Sequence, residues 1–119
     1  MKTLTKAEEQ VMQALWELQQ GFLKAIMKAL PEPRPHPNTV ATILRILVKK
    51  EFVTYEAQGR NNLYRPLVSK EEYGKQRIDD LVKSYFDGSP GKLVAQLVKD
   101  KKLCAEELEA LVAVIRTGC

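Results

Sequence analysis

Apolar residues recur along this chain with the 3.6-residue period of helices in six runs and with a strand-like pattern in one short region. The clearest helical run lies between Asn38 and Lys50. With Val40 set at zero and about 100° per residue, Ile43, Leu44, Leu47 and Val48 all fall within about 80° of Val40, as a buried stripe does. Opposite, within about 40° of the antipode, lie Asn38, Thr42, Arg45 and Lys49, with Thr39, Ala41 and Ile46 on the flanks. Short polar and cationic side chains suit a helix that enters the major groove, where base edges and phosphates come within reach. An ordinary solvated helix face has similar composition, so the neighbouring elements must decide.

Upstream, Thr5-Lys6-Ala7-Glu8 fits a capping box and predicts a helix from Lys6 to about Leu18, with Val11, Met12, Leu15, Trp16 and Leu18 at helical spacing. Gln19-Gln20-Gly21 supplies its stop. A shorter helix from about Leu23 to Leu30 presents Leu23, Ile26, Met27 and Leu30; Phe22 either starts it or adds one strand residue. Four prolines between Pro31 and Pro37 form a spacer that no helix or paired strand crosses. Beyond Lys50 stands Glu51, where a helix end prefers Gly; either the cap is strained or the chain leaves the helix differently. Phe52–Ala57 and Asn62–Val68 are β-prone runs around the turn Gln58-Gly59-Arg60-Asn61, with Arg60 at the tip. In this hairpin Phe52, Val53, Tyr55, Leu63, Tyr64 and Leu67 can face the helices.

From Ser69 the character changes. Ser69-Lys70-Glu71-Glu72 is a second capping box opening a helix to about Phe86, with Ile78, Leu81, Val82, Tyr85 and Phe86 on or beside one face. Asp87-Gly88-Ser89-Pro90 stops it and restarts the chain, Ser89 as N-cap and Pro90 at the first helical position. The next helix, Gly91 to about Asp100, shows Leu93, Val94, Leu97 and Val98. The last begins near Cys104, which occupies the place of a capping Ser, and carries Leu108, Leu111, Val112, Val114 and Ile115 to Arg116.

The order three helices, basic-tipped hairpin predicts a fold that is mainly α with a small β-hairpin: a winged helix-turn-helix domain over residues 1–68 plus a C-terminal helical dimerisation arm over 69–119. Charge distribution agrees. Residues 1–67 hold ten Lys and Arg against six Glu, whereas residues 68–119 hold nine basic and nine acidic side chains, so the whole excess of +4 lies in the first half. The candidate DNA-binding residues are Thr5, Lys6, Asn38, Thr39, Ala41, Thr42, Arg45, Lys49, Lys50 and Arg60. Of these, Lys6, Lys49, Lys50 and Arg60 suit phosphates, and Arg45, Thr42 and Asn38 suit base edges. Three short helices can hardly bury their apolar surface alone; either a second copy covers Ile78, Leu81, Val82, Tyr85, Leu93, Leu97, Leu108, Leu111, Val112 and Ile115, or the helices fold back on their own winged domain. An acidic protein partner is the rival to double-stranded DNA for the basic face.

With 45% hydrophobic and 29% charged residues, the chain is neither disordered nor membranous. No apolar run reaches the ~18 residues of a membrane span, and the start lacks a secretion signal, so cytoplasmic location is expected. Cys104 and Cys119 have neither disulfide-framework nor metal-ligand spacing and read as reduced thiols. The single histidine, His36, has no carboxylate, Cys or second His nearby and reads as a surface or phosphate-proximal residue. No nucleophile-base set or glycine-rich phosphate loop occurs, so no enzyme, cofactor or metal is expected.

In combination, Leu4-Thr5-Lys6-Ala7-Glu8 leading to Leu15-Trp16, Thr39-Val40-Ala41-Thr42-Ile43-Leu44 leading to Leu47-Val48-Lys49-Lys50, Gly59-Arg60 with Tyr64 and Pro66, and Ser69-Lys70-Glu71-Glu72-Tyr73 resemble the penicillinase and methicillinase repressors (the BlaI/MecI/CopY group) over nearly the whole chain. The resemblance implies a dimeric winged-helix repressor of an inverted-repeat operator, with a C-terminal dimerisation arm. The chain departs from that pattern at Ile46, where the family often has Arg, with Arg45 one position earlier, and at Glu51, where Gly is usual. Members controlled by a membrane-bound sensor are cut at an Asn-Phe bond in the short dimerisation helix; the corresponding pair here is Gln96-Leu97, the candidate cleavage bond for a sensor protease. The cysteine clusters of the copper-responsive branch are missing, so no metal effector is expected.

Overall fold

The computed structural model describes residues 3–118. In chain order the elements are α1 (Lys6–Leu18), α2 (Leu23–Ala29), α3 (Pro37–Lys49), β1 (Val53–Gln58), β2 (Asn61–Pro66), α4 (Lys70–Tyr85), α5 (Pro90–Lys99) and α6 (Ala105–Gly118). The chain divides into two compact units between Lys75 and Gln76.

In the first unit, α1 starts as its sequence predicts. The Thr5 hydroxyl accepts from the Glu8 N–H at 3.2 Å, and Glu8 Oε1 accepts from the Thr5 N–H at 2.8 Å, satisfying two donors that helix geometry leaves without partners. Gln19, rather than Gly21, takes the positive φ, 70°, that ends the helix. Gly21 instead exchanges two backbone hydrogen bonds with Tyr64, making a one-residue third strand beside the hairpin. A Cβ on Gly21 would sit 3.3 Å from the Leu18 side chain, so the close approach favours glycine. Phe22 is therefore the N-cap of α2 and not the strand residue.

The three helices bury Val11, Met12 and Leu15 of α1, Ile26 of α2, and Val40, Leu44 and Leu47 of α3 against Phe52 and Val53. Each such side chain contributes about 1.5–3 kcal/mol relative to exposure. The end of α3 resolves the alternatives at Glu51. Its φ is 64°, the Glu51 N–H donates to Val48 O, and the Phe52 N–H donates to Leu47 O. This is a Schellman motif, with Phe52 and Leu47 supplying its hydrophobic contact, and Glu51 sits at the left-handed position glycine prefers.

The strands pair antiparallel from Val53 opposite Pro66 to Gln58 opposite Asn61, leaving the two-residue turn Gly59-Arg60. Only Gly59 has positive φ, 64°, the pattern of a type II′ hairpin turn. Phe52, Val53 and Leu63 are buried, whereas Tyr55 is 50% exposed and Leu67 56% exposed. Tyr55 packs on its cross-strand partner Tyr64, ring centroids 5.9 Å apart, and Leu67 lies beyond the paired region.

The first turn of α4 belongs to this unit, so the division falls later than the expected 68/69 boundary. Tyr73 is buried, its ring 5.6 Å from Phe52 and 6.1 Å from Trp16, and its hydroxyl accepts from the Leu4 N–H at 2.9 Å. Trp16 Nε1 donates to Val68 O at 2.8 Å. Ser69 caps α4 by accepting from the Glu72 N–H.

In the second unit, Ser89 caps α5 by accepting from the Lys92 N–H, and Pro90 occupies the first helical position. Neither α5 nor α6 has a buried residue. Ile78, Leu81, Tyr85, Leu111, Val112 and Ile115 are exposed, and Leu93, Leu97 and Leu108 are half-buried. Val82 is the correction within this set. It is buried in its own chain, lining with Leu93 and Val94 a cleft between α4 and α5. Cys104 does not cap α6 with its sulfur; the Glu107 carboxylate accepts from both the Cys104 N–H and Sγ–H at 3.3 Å. Cys119 lies outside the described residues.

Candidate nucleic-acid interface

Burial of Val40, Leu44 and Leu47 orients α3, and the same rotation turns Asn38, Thr39, Thr42, Arg45 and Lys49 to solvent, with Ala41 half-buried. The N-terminus of this helix is built by His36, whose Nδ1 accepts from the Asn38 N–H at 3.1 Å, and by Pro37 in the first turn. The lone histidine is thus a capping residue. Thr42 Oγ1 donates to Asn38 O at 2.9 Å, which spends the hydroxyl proton inside the helix and leaves the methyl group free for an apolar contact.

The hairpin stands across from this face. Ala41, Arg45 and Val48 of α3 and Tyr55, Asn62 and Tyr64 of the strands line one cleft of about 230 Å³. Arg45 thus opens toward two phenol rings and an amide, none of which the sequence reading placed in the site. The β alternation supplies the missed indication: Tyr55 and Tyr64 are register partners, and Asn62 lies two residues from Tyr64 on the same face.

The cations differ in what they are free to do. Among the described residues, Lys6, Arg45, Lys49 and Arg60 take part in no ion pair. Arg65 is held by Glu56 and Gln20. Arg34 donates to Leu30 O and Lys28 O, bracing the chain that leads into α3. Lys50 corrects the expectation of a phosphate contact, because its ammonium is 2.7 Å from Glu8 Oε1 and its side chain is 21% exposed. Thr5 is exposed, but its hydroxyl is engaged in the α1 cap.

Glu8 is the buried acid of this unit, with its side chain 5% exposed. Burial pushes its carboxyl upward, but hydrogen bonds and charge from Lys50 and the hydrogen bonds from Thr5 outweigh that and hold it below its ordinary value.

Three helices, a bridging strand residue and a hairpin over an exposed cationic helix face define a winged helix-turn-helix DNA-binding protein. The chain belongs to the penicillinase repressor family, whose model matches residues 4–117; these are DNA-binding transcriptional repressors and not enzymes. It is 22% identical to the penicillinase repressor of Bacillus licheniformis over 113 residues, covering 94% of this chain and 88% of that one. The solution structure of the DNA-binding domain of the repressor BlaI is similar at 27% identity and a TM-score of 0.53, covering 61% of this chain and 94% of that one. BpsR of Bordetella bronchiseptica shares the fold at 18% identity and a TM-score of 0.50, covering 98% of this chain and 75% of that one.

Proposed function

We propose that two copies of this chain bind an inverted-repeat operator, each laying α3 in a major groove with its hairpin beside the flanking backbone. The pair represses by occupying DNA that polymerase requires. The observation that carries this reading is the separation of free from engaged cations: Arg45, Lys49 and Arg60 of α3 and its hairpin have no anionic partner. Arg45, Thr42 and Asn38 face base edges, and Lys6, Lys49 and Arg60 face phosphates. Pairing of copies is supported by α5 and α6, which expose apolar residues and bury none. No helix among the described residues is long and apolar enough to cross a membrane; a cytoplasmic location, where operator DNA lies, follows from the proposed role. Relief by a sensor protease would come from cutting Gln96-Leu97 in α5, separating the two copies.

Genomic fragments retained by the purified protein would identify the repeat. Titration should then show tighter binding to a duplex carrying both half-sites than to a scrambled duplex of the same composition. Failure to retain any duplex at low salt would instead assign the basic face to an acidic protein partner.

A further inference from the structure

One carboxylate oxygen joins two ends of the DNA-binding unit. Glu8 Oε1 accepts from the Thr5 N–H at 2.8 Å and from Lys50 Nζ at 2.7 Å. Thr5 is the N-cap of α1 and Lys50 the C-cap residue of α3, so this atom links the backbone of one cap residue to the side chain of the other, with Glu8 and Lys50 forty-two residues apart in the chain. The free cations Lys6 and Lys49 are the immediate neighbours of these caps, one at the first position of α1 and the other at the last of α3. The Glu8–Lys50 contact ties together the two helix ends that carry them, in addition to the shared core of α1 and α3. A surface ion pair would hold such a distance weakly, but the Glu8 side chain is 5% exposed and that of Lys50 21%.

We infer that Glu8 and Lys50 are positioning residues for DNA binding: their ion pair fixes the spacing between two phosphate-gripping points, and Lys50 spends its charge inside the protein instead of on the duplex. This inference rests on the proposed DNA-binding role. It reverses the simple electrostatic expectation for two substitutions. Glu8→Gln makes the protein one charge more positive and keeps an oxygen acceptor for the Thr5 N–H. If Lys50 were a latent phosphate contact, releasing it would strengthen binding and steepen its salt dependence. As a positioning device, losing the pair weakens binding despite the added charge.

The test is titration of full-length wild type, E8Q, K50M, K50R and K49A against the duplex that wild type retains best, across a range of salt. Temperatures are chosen at which circular dichroism shows each variant folded. E8Q and K50M should each lose about tenfold in affinity, within the range of coupled contacts. K50M should keep the wild-type slope of log affinity against log salt, K49A should lower that slope by about one, and K50R should restore affinity. Tighter binding by E8Q, unchanged affinity of K50M, or a slope lowered by K50M as much as by K49A would overturn the inference. Failure of wild type itself to bind any duplex would instead overturn the DNA-binding role. Should K50M not fold, E8Q against wild type decides alone, because the two readings give opposite signs.

Discussion

Glu51 is a side chain in a conformation that costs a non-glycine residue about 1–2 kcal/mol. Its φ of 64° is imposed by the Schellman hydrogen bonds that turn the chain from α3 into the hairpin. Glu51→Gly should therefore stabilise the fold by about 1 kcal/mol after the greater chain entropy of glycine is counted, raising Tm by about 3–6 °C in a thermal melt. An unchanged or lower Tm would show that the Glu51 backbone carries no strain. Glu8 gives the acid-side prediction. Its folded-state pKa is lowered, so its contribution to stability is complete above the ordinary carboxylate range and is lost as pH falls through the lowered value. Wild type should be more stable than Glu8→Gln at neutral pH, and the gap should close below about pH 4. A gap that stays constant from neutral to acid pH would remove Glu8 as its source. On DNA, Arg45→Ala should cost about 1–3 kcal/mol on the preferred site and relax discrimination at one base pair. Lys49→Ala should weaken all duplexes alike. Matched cognate and scrambled titrations separate the two.

At the scale of elements, most boundaries followed from local chemistry that a linear reading can see. The Thr5 and Ser89 caps, the proline at the start of α5 and the glycine of the hairpin turn act within a few residues of themselves. The face of α3 was legible for the same reason, since burial of one side of a helix dictates what the other presents. What escaped depended on contacts distant in sequence. Tyr73 belongs to the core through Phe52, Trp16 and Leu4, and no period within its own helix marks it. Gly21 became a strand residue only because Tyr64 offered both partners for its backbone. Tyr55 does face α3, on the same side of the strand as buried Val53, but that it shares a half-open cleft with Arg45 depends on where the helix and hairpin meet.

At the scale of the whole molecule, the question is what covers the C-terminal helices. Leu111 and Ile115 are 49% and 59% exposed, so Leu111→Glu and Ile115→Glu leave the single chain's core intact. If a second copy covers them, sedimentation should show the wild-type dimer becoming a monomer, and affinity for a two-half-site duplex should fall by about 100-fold or more while a single half-site is little affected. A wild-type chain that sediments as a monomer at micromolar concentration would refute the pairing. The sequence alone determined six amphipathic helices, the place of the hairpin turn and an excess of positive charge in one half, because periodicity, capping and net charge are properties of neighbours along the chain. Only the tertiary structure decided which cations remain free. Lys49 and Lys50 are adjacent and chemically identical, yet one faces solvent and the other meets Glu8, since a 100° step around a helix places consecutive residues in different surroundings.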